Sequence, residues 1–169
     1  MVAWPARAGG RWPGDGAGAV LSRWDRLRLA LLAGLGVVGG GIAVYLTLVH
    51  TSAAALACSA SGLVDCERVL NSSYAVILGS PVPTSAAGIL WFAASAVLAL
   101  AQLRRPASRS LARAHLAWGV VGLATVLYLV YVEIVQVGAI CAWCTAAHVT
   151  VVVTFLLVIT RWQEAESTD

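Results

Sequence analysis

Four long apolar runs dictate the solvent this chain folds in. A helix that crosses a bilayer needs about 20 mostly apolar residues. The stretches 27–49, 84–103, 114–137 and 141–159 each reach that length. They are apolar all round rather than along one stripe, which predicts bilayer helices over amphipathic ones. Of 169 residues, 60% are hydrophobic and 11% charged, whereas a soluble domain carries about 25% charged residues. That balance disfavours a soluble disulfide-rich module, a disordered chain and a nucleic-acid binder. The expected fold is an all-α membrane protein, a bundle of four transmembrane helices. A short half-helix is expected near Tyr74–Leu78 in the first outer loop, ended by Gly79, Pro81 and Pro83, with Thr84 as the N-cap of the second span.

The flanks set domain organisation and orientation. Residues 1–22 have no hydrophobic period and contain Pro5, Pro13 and scattered Gly and Ala, which predicts a disordered segment. The membrane domain is expected over 23–162, and 163–169 as a short acidic tail. All basic residues are arginine, a bias consistent with a high-GC bacterium. Arg7, Arg11, Arg23, Arg26 and Arg28 precede the first span. Arg104, Arg105, Arg109 and Arg113 lie between the second and third, and Arg161 follows the fourth. Only Arg68 falls on the other side. The positive-inside rule then places both termini in the cytoplasm. The segment 50–83 and the turn 138–140 face outward, to the oxidising side of a bacterial inner membrane.

All four cysteines sit on or beside that outer face. Cys141-Ala142-Trp143-Cys144 is a CxxC motif where the fourth span begins. A helix start presents free N–H groups and a positive dipole end, and both favour a thiolate. The spacing also admits a reversible disulfide. A metal pair is the competing reading, but a zinc site needs two more ligands, and the seven residues between Cys58 and Cys66 are not a usual zinc spacing; redox chemistry is favoured and no metal is expected. Cys58 and Cys66 read equally as a structural staple or as a second redox pair. Two pairs facing one oxidising compartment suit a relay by thiol–disulfide exchange.

This arrangement resembles the vitamin K epoxide reductase family. The residues that carry the resemblance are Cys58, the run Cys66-Glu67-Arg68-Val69-Leu70-Asn71-Ser72, Gly88 in the second span, and the CxxC. The family has a loop cysteine pair, a serine six residues past its second cysteine, and a later CxxC at the outer start of a span. Another quinone-coupled disulfide-forming family places these pairs in the reverse order. The resemblance covers about residues 27–160. It implies a redox enzyme with four core helices around a quinone pocket. Bacterial members oxidise a periplasmic thioredoxin-like (DsbA-like) protein and reduce a quinone, here menaquinone or ubiquinone. Many carry the thioredoxin-like domain fused after a fifth span. This sequence ends after the fourth, so the partner is expected to be a separate protein or to lie outside this sequence.

The resemblance also implies roles. Cys58 would exchange with the partner, and Cys66 would pass electrons to Cys141 through a transient disulfide. Cys144 would face the quinone and form an adduct with it. Ser72 would position or polarise the quinone, and Tyr74, Thr84 and Trp91 fall at pocket positions. The chain departs from the vertebrate members in two places. His148 stands where they have a tyrosine and Thr84 where they have an asparagine, so epoxide reduction and warfarin-type inhibition are not carried over. His148 shares a helix face with Cys144 and can serve a quinone carbonyl or a proton, or bond a neighbouring helix. Glu133, an ionisable group within a span, is a candidate proton relay, a counter-ion for Arg68, or an interfacial side chain. Trp91, Trp118 and Trp143 read equally as helix-packing or interface residues and as ligand contacts. Gly34, Gly36 and Gly39–Gly41 thin the first span for close helix packing. The rival reading of the whole chain is a non-enzymatic membrane protein with two structural disulfides.

Overall fold

The computed structural model describes residues 21–52, 56–58, 61–77, 79–106 and 108–167; the segment expected to be disordered therefore lies, through residue 20, outside the described residues. The long helices are α1 (Arg23–Ser52), α3 (Thr84–Arg104), α4 (Arg109–Tyr131) and α5 (Ala142–Ser167), with a short α2 (Cys66–Leu70) between α1 and α3. A π-helical turn, Val132–Val137, prolongs α4. Four helices are long and apolar enough to cross a membrane. In the most apolar window of each span, 28% to 33% of the residues are buried. The rest is apolar surface such as Val37 at 73% and Leu90 at 72% exposure, which only lipid can cover. The protein is an all-α, four-helix, multi-pass membrane protein.

Local chemistry sets where the helices begin. Ser22 caps α1 reciprocally: its Oγ accepts the Asp25 N–H at 3.1 Å and donates to Asp25 Oδ2 at 2.7 Å. Ser108 Oγ accepts the Leu111 N–H at the start of α4, and Asp65 Oδ1 accepts the Arg68 N–H at the start of α2. These side chains replace intrahelical partners that the first turn lacks. Thr84 does not cap α3. The cap residue is Pro83, with no side-chain bond, and Thr84 is already helical; its hydroxyl donates to the Tyr74 carbonyl at 3.2 Å instead. The half-helix also lies earlier than expected. The helical turns occupy Cys66–Leu70 and a 3-10 turn at Ser73–Ala75, because Asp65 supplies a cap that the apolar stretch 74–78 lacks. Cys66 thus starts a helix and does not belong to a free loop. At the other end of the chain, α5 runs through Ser167, into the stretch expected as a tail.

The long helices pack as a ring, with α1 against α3 and α5, and α4 against α3 and α5. Two of the glycines of α1 make the close approach to α3. A Cβ on Gly36 would lie 2.8 Å from Ala96 Cβ, and one on Gly39 would run into the Phe92 ring. Gly34 and Gly41 face open space, so the thinning is confined to part of the run. Three apolar clusters stack along the axis. Leu29, Leu32, Ala99 and Val158 fill one end, and Ala43, Phe92, Val126 and Val151 the middle. Leu46, Cys66 and Cys141 form the core of the other end. Polar groups buried between the spans find one another. His115 Nδ1 accepts from Gln102 Nε2 at 2.8 Å, and its Nε2 lies 3.1 Å from Ser95 Oγ. Arg161 donates to Gln102 Oε1. Three helices are thereby tied together at a depth where an unpaired polar group is costly.

Candidate functional site

All four cysteines meet at one end of the bundle. Cys58 and Cys66 are joined by a disulfide, with Cα atoms 6.2 Å apart. Cys141 and Cys144 are free thiols. Cys66 and Cys141 are core residues of a single cluster, and Cys58, Cys144 and Trp143 pack against it. The backbone brings the pairs together. The Asp65 N–H donates to the Ile140 carbonyl at 3.1 Å, and the Ile140 N–H donates to the Leu63 carbonyl at 2.8 Å. Gly62, at φ 60°, allows the tight Ser61–Val64 turn that presents this edge. Gly138, at φ 68°, ends the π-helical turn and sends the chain back toward α5.

Cys141 sits immediately before α5 and is fully buried. Its Sγ accepts the Cys144 N–H at 3.2 Å, in the manner of a helix cap. A hydrogen bond from the Cys144 thiol holds the Cys141 thiol below its ordinary range, and backbone N–H groups of Cys144 and Trp143 work in the same direction. Burial and the nearby Glu133 carboxylate oppose this. Cys141 is therefore the thiol of the pair prepared to ionise.

Of the four cysteines, Cys144 borders the cavity that opens beneath this cluster. The cavity has a volume of about 440 Å³, within the usual range for small-molecule sites, about 300–1,000 Å³. Its wall is mostly apolar and includes Leu46, Phe92 and Val126. On one side it is bordered by Leu90 of α3 and Val121 of α4, which are 72% and 51% exposed.

Ser72, Tyr74, Thr84, Trp91, His148 and Glu133 all line this cavity. Most have their polar hydrogens committed elsewhere. The Ser72 hydroxyl donates to the Val69 carbonyl at 2.8 Å, which leaves its oxygen as an acceptor. The Tyr74 hydroxyl donates to Gln136 Oε1 at 3.4 Å. Trp91 and Trp118 exchange bonds, each indole N–H donating to the other's backbone carbonyl, at 3.2 Å and 3.1 Å. The His148 ring is buried and has no hydrogen-bond partner among the described residues. Glu133 is buried in the π-helical turn, with its carboxylate near the Cys141 backbone. Among the described residues it forms no ion pair with Arg68. No three His, Cys, Asp or Glu side chains among the described residues group as a metal would require.

The model of the vitamin K epoxide reductase family matches residues 30–159. The chain belongs to that family. The match takes in all four cysteines, every cavity residue named above, the whole of α3 and α4, and α1 and α5 apart from residues 23–29 and 160–167. A thiol–disulfide chemistry coupled to a quinone is what this family brings to such a site, and a bonded cysteine pair packed against a free pair suits it.

Tyr45, Ala57 and His50 build the site without being singled out by sequence. Tyr45 and Ala57 form, with Trp143, a contact of their own at Cys58. His50 closes the end of α1 by placing its Nδ1 3.1 Å from the Leu70 carbonyl, and it too lines the cavity. A histidine at the end of an apolar run, and a tryptophan inside a CxxC, were the available signals.

Proposed function

We propose that this protein is a membrane thiol–quinone oxidoreductase of the bacterial cell membrane. It reoxidises a separate periplasmic thioredoxin-like, DsbA-like protein and reduces menaquinone or ubiquinone, in support of disulfide formation. The observation that carries this reading is the position of Cys144, the one cysteine that belongs both to the thiol cluster and to the wall of the apolar cavity.

Electrons enter at the Cys58–Cys66 disulfide. A partner thiolate attacks Cys58, and resolution by the partner's second thiol leaves the partner oxidised and Cys58 and Cys66 reduced. Cys66 then attacks the Cys141–Cys144 disulfide at Cys141 and frees Cys144. Attack by Cys58 on the Cys66–Cys141 bond restores the loop disulfide and leaves Cys141 and Cys144 as thiols, the state described above. Each exchange moves two electrons. A quinone bound in the cavity takes those two electrons and two protons, and the Cys141–Cys144 disulfide re-forms. Cys144 is placed to meet the ring. Cys141, the more acidic thiol, supplies the thiolate that closes the disulfide. His148 offers an uncommitted ring nitrogen to a quinone oxygen. Glu133, buried on the cavity wall near Cys141, is suited to hold a proton between the thiol pair and the cavity. The border at Leu90 and Val121 suits a ligand that arrives from lipid with an apolar tail.

The arginine distribution supports cytoplasmic termini and an outward-facing cysteine end. The test is quinone reduction by the purified protein in detergent or liposomes, driven by a reduced thioredoxin-like protein. Turnover that requires all four cysteines supports the relay. Full turnover by Cys144→Ala defeats it, and thiols that ignore added quinone leave only a structural role for the two pairs.

A further inference from the structure

The residue before Cys58 is held from two sides. The Ala57 N–H donates to Tyr45 Oη at 3.0 Å, and the Ala57 carbonyl accepts Trp143 Nε1–H at 3.0 Å. The two aromatic rings touch, with centroids 5.0 Å apart and planes tilted by 57°. A bond from the Cys58 N–H to the Leu56 carbonyl, 2.8 Å long, folds the backbone tightly about Ala57. Tyr45 belongs to α1, and Trp143 lies between the two cysteines of the CxxC.

From this geometry we infer that Tyr45 and Trp143 are positioning residues, a two-point strap that seats Cys58 beside the CxxC and governs how readily it parts from Cys66. The inference rests on the relay proposed above and deepens it. Cys66 has its own anchor, because Asp65 is bonded to Ile140. Cys58 has no helix of its own, and the strap takes the place of one. Packing alone does not require this arrangement. A tyrosine and a tryptophan at a membrane interface ordinarily leave their polar tips in water, whereas here both tips are spent on one residue, which for Trp143 is 86 positions away.

A disulfide closes more favourably when its two sulfurs are held near each other, so bonds that restrain Ala57 raise the effective concentration of Cys58 at Cys66. Loss of one neutral hydrogen bond changes an equilibrium constant by about two- to tenfold. The reaction to follow is reduction by glutathione. The Cys58–Cys66 bond breaks, two glutathione thiols give up two electrons and two protons to form oxidised glutathione, and both cysteines become thiols.

The experiment uses the full chain in detergent micelles in two backgrounds. Cys141→Ser with Cys144→Ser leaves the loop pair, and Cys58→Ser with Cys66→Ser leaves the CxxC pair. Each is equilibrated in glutathione buffers and scored by maleimide gel shift. Tyr45→Phe is expected to make the loop pair about two- to tenfold easier to reduce and to leave the CxxC pair unchanged. Trp143→Phe, which keeps a ring against Tyr45, is expected to shift the loop pair in the same direction, and the double variant less than the product of the two. A loop pair indifferent to Tyr45→Phe overturns the inference, as does a Tyr45→Phe variant that shifts both pairs equally. No quinone enters the assay, so failure of quinone reduction in the proposed function is read separately.

Discussion

The backbone of Asp65 is bonded to that of Ile140, N–H to carbonyl at 3.1 Å, so the residue before Cys66 lies beside the residue before Cys141. In the proposed relay, this pairing is what brings Cys66 to Cys141 for the exchange between the two disulfides. Replacing Cys58 or Cys66 by Ser should abolish quinone reduction driven by a protein thiol. The same variants should keep reduction driven by a small dithiol that reaches Cys141 or Cys144 directly. Cys141→Ser and Cys144→Ser should lose both. Quinone absorbance followed with each donor separates these outcomes.

The Cys144 thiol bond that holds the Cys141 thiol below its ordinary range predicts a pH signature. Thiolate absorbance of the reduced protein should persist below the ordinary cysteine range, around 8.5. Cys144→Ala should move the midpoint up. Glu133→Gln should move it down, since the carboxylate charge opposes the thiolate. The sign for stability follows from a folded-state value that is depressed. The ionised Cys141 stabilises the reduced protein fully above the unfolded-state value, and this contribution fades as pH falls through the depressed one.

His148 lines the cavity, and its ring has no hydrogen-bond partner among the described residues. His148→Phe should raise KM for quinone by about three- to tenfold, the effect of one hydrogen bond. The glutathione equilibria of both cysteine pairs should stay the same. Steady-state kinetics with varied quinone checks this, and an unchanged KM removes His148 from the binding site.

Glycine substitutions should divide by their surroundings. Gly39→Ala forces a methyl into Phe92 and should cost about 1–3 kcal/mol, the range for overpacking. Gly34→Ala meets nothing within 4 Å and should be tolerated. Thermal unfolding in a single detergent ranks the two.

His115→Leu should leave Gln102 and Ser95 without their shared partner. The expected loss is about 1–3 kcal/mol for an unsatisfied buried polar group. The network lies away from the cysteine end, so quinone KM should not change. Melting curves and kinetics on the same preparation test both halves.

The four spans were legible because apolar length is a local signal, and each expected run falls within an observed helix or overlaps it closely. The family and the cysteine pairs were legible because spacing survives in sequence. Other features depend on partners distant in the chain. Nothing in Trp143 announces that its N–H will meet Ala57, and nothing in Glu133 that it will be buried beside the thiol pair. The half-helix was placed on apolar residues 74–78, whereas the Asp65 cap moved helix formation to Cys66. Thr84 reads as a cap by residue type, but its hydroxyl was drawn to the Tyr74 carbonyl. The polar network of Ser95, Gln102, His115 and Arg161 went unremarked because its members are scattered over three helices.

The wide turn Val132–Val137 has a bearing on how this chain tolerates changes in length. Excising one residue there would restore ordinary helical pitch and rotate everything downstream by roughly 100°, the angular step of one residue at 3.6 per turn. Glu133 and the Gly138 reversal would then fall out of phase, and Ile140 would no longer meet Asp65. Single-residue deletions should therefore be far less forgiving in this stretch than in the surface connection between α3 and α4.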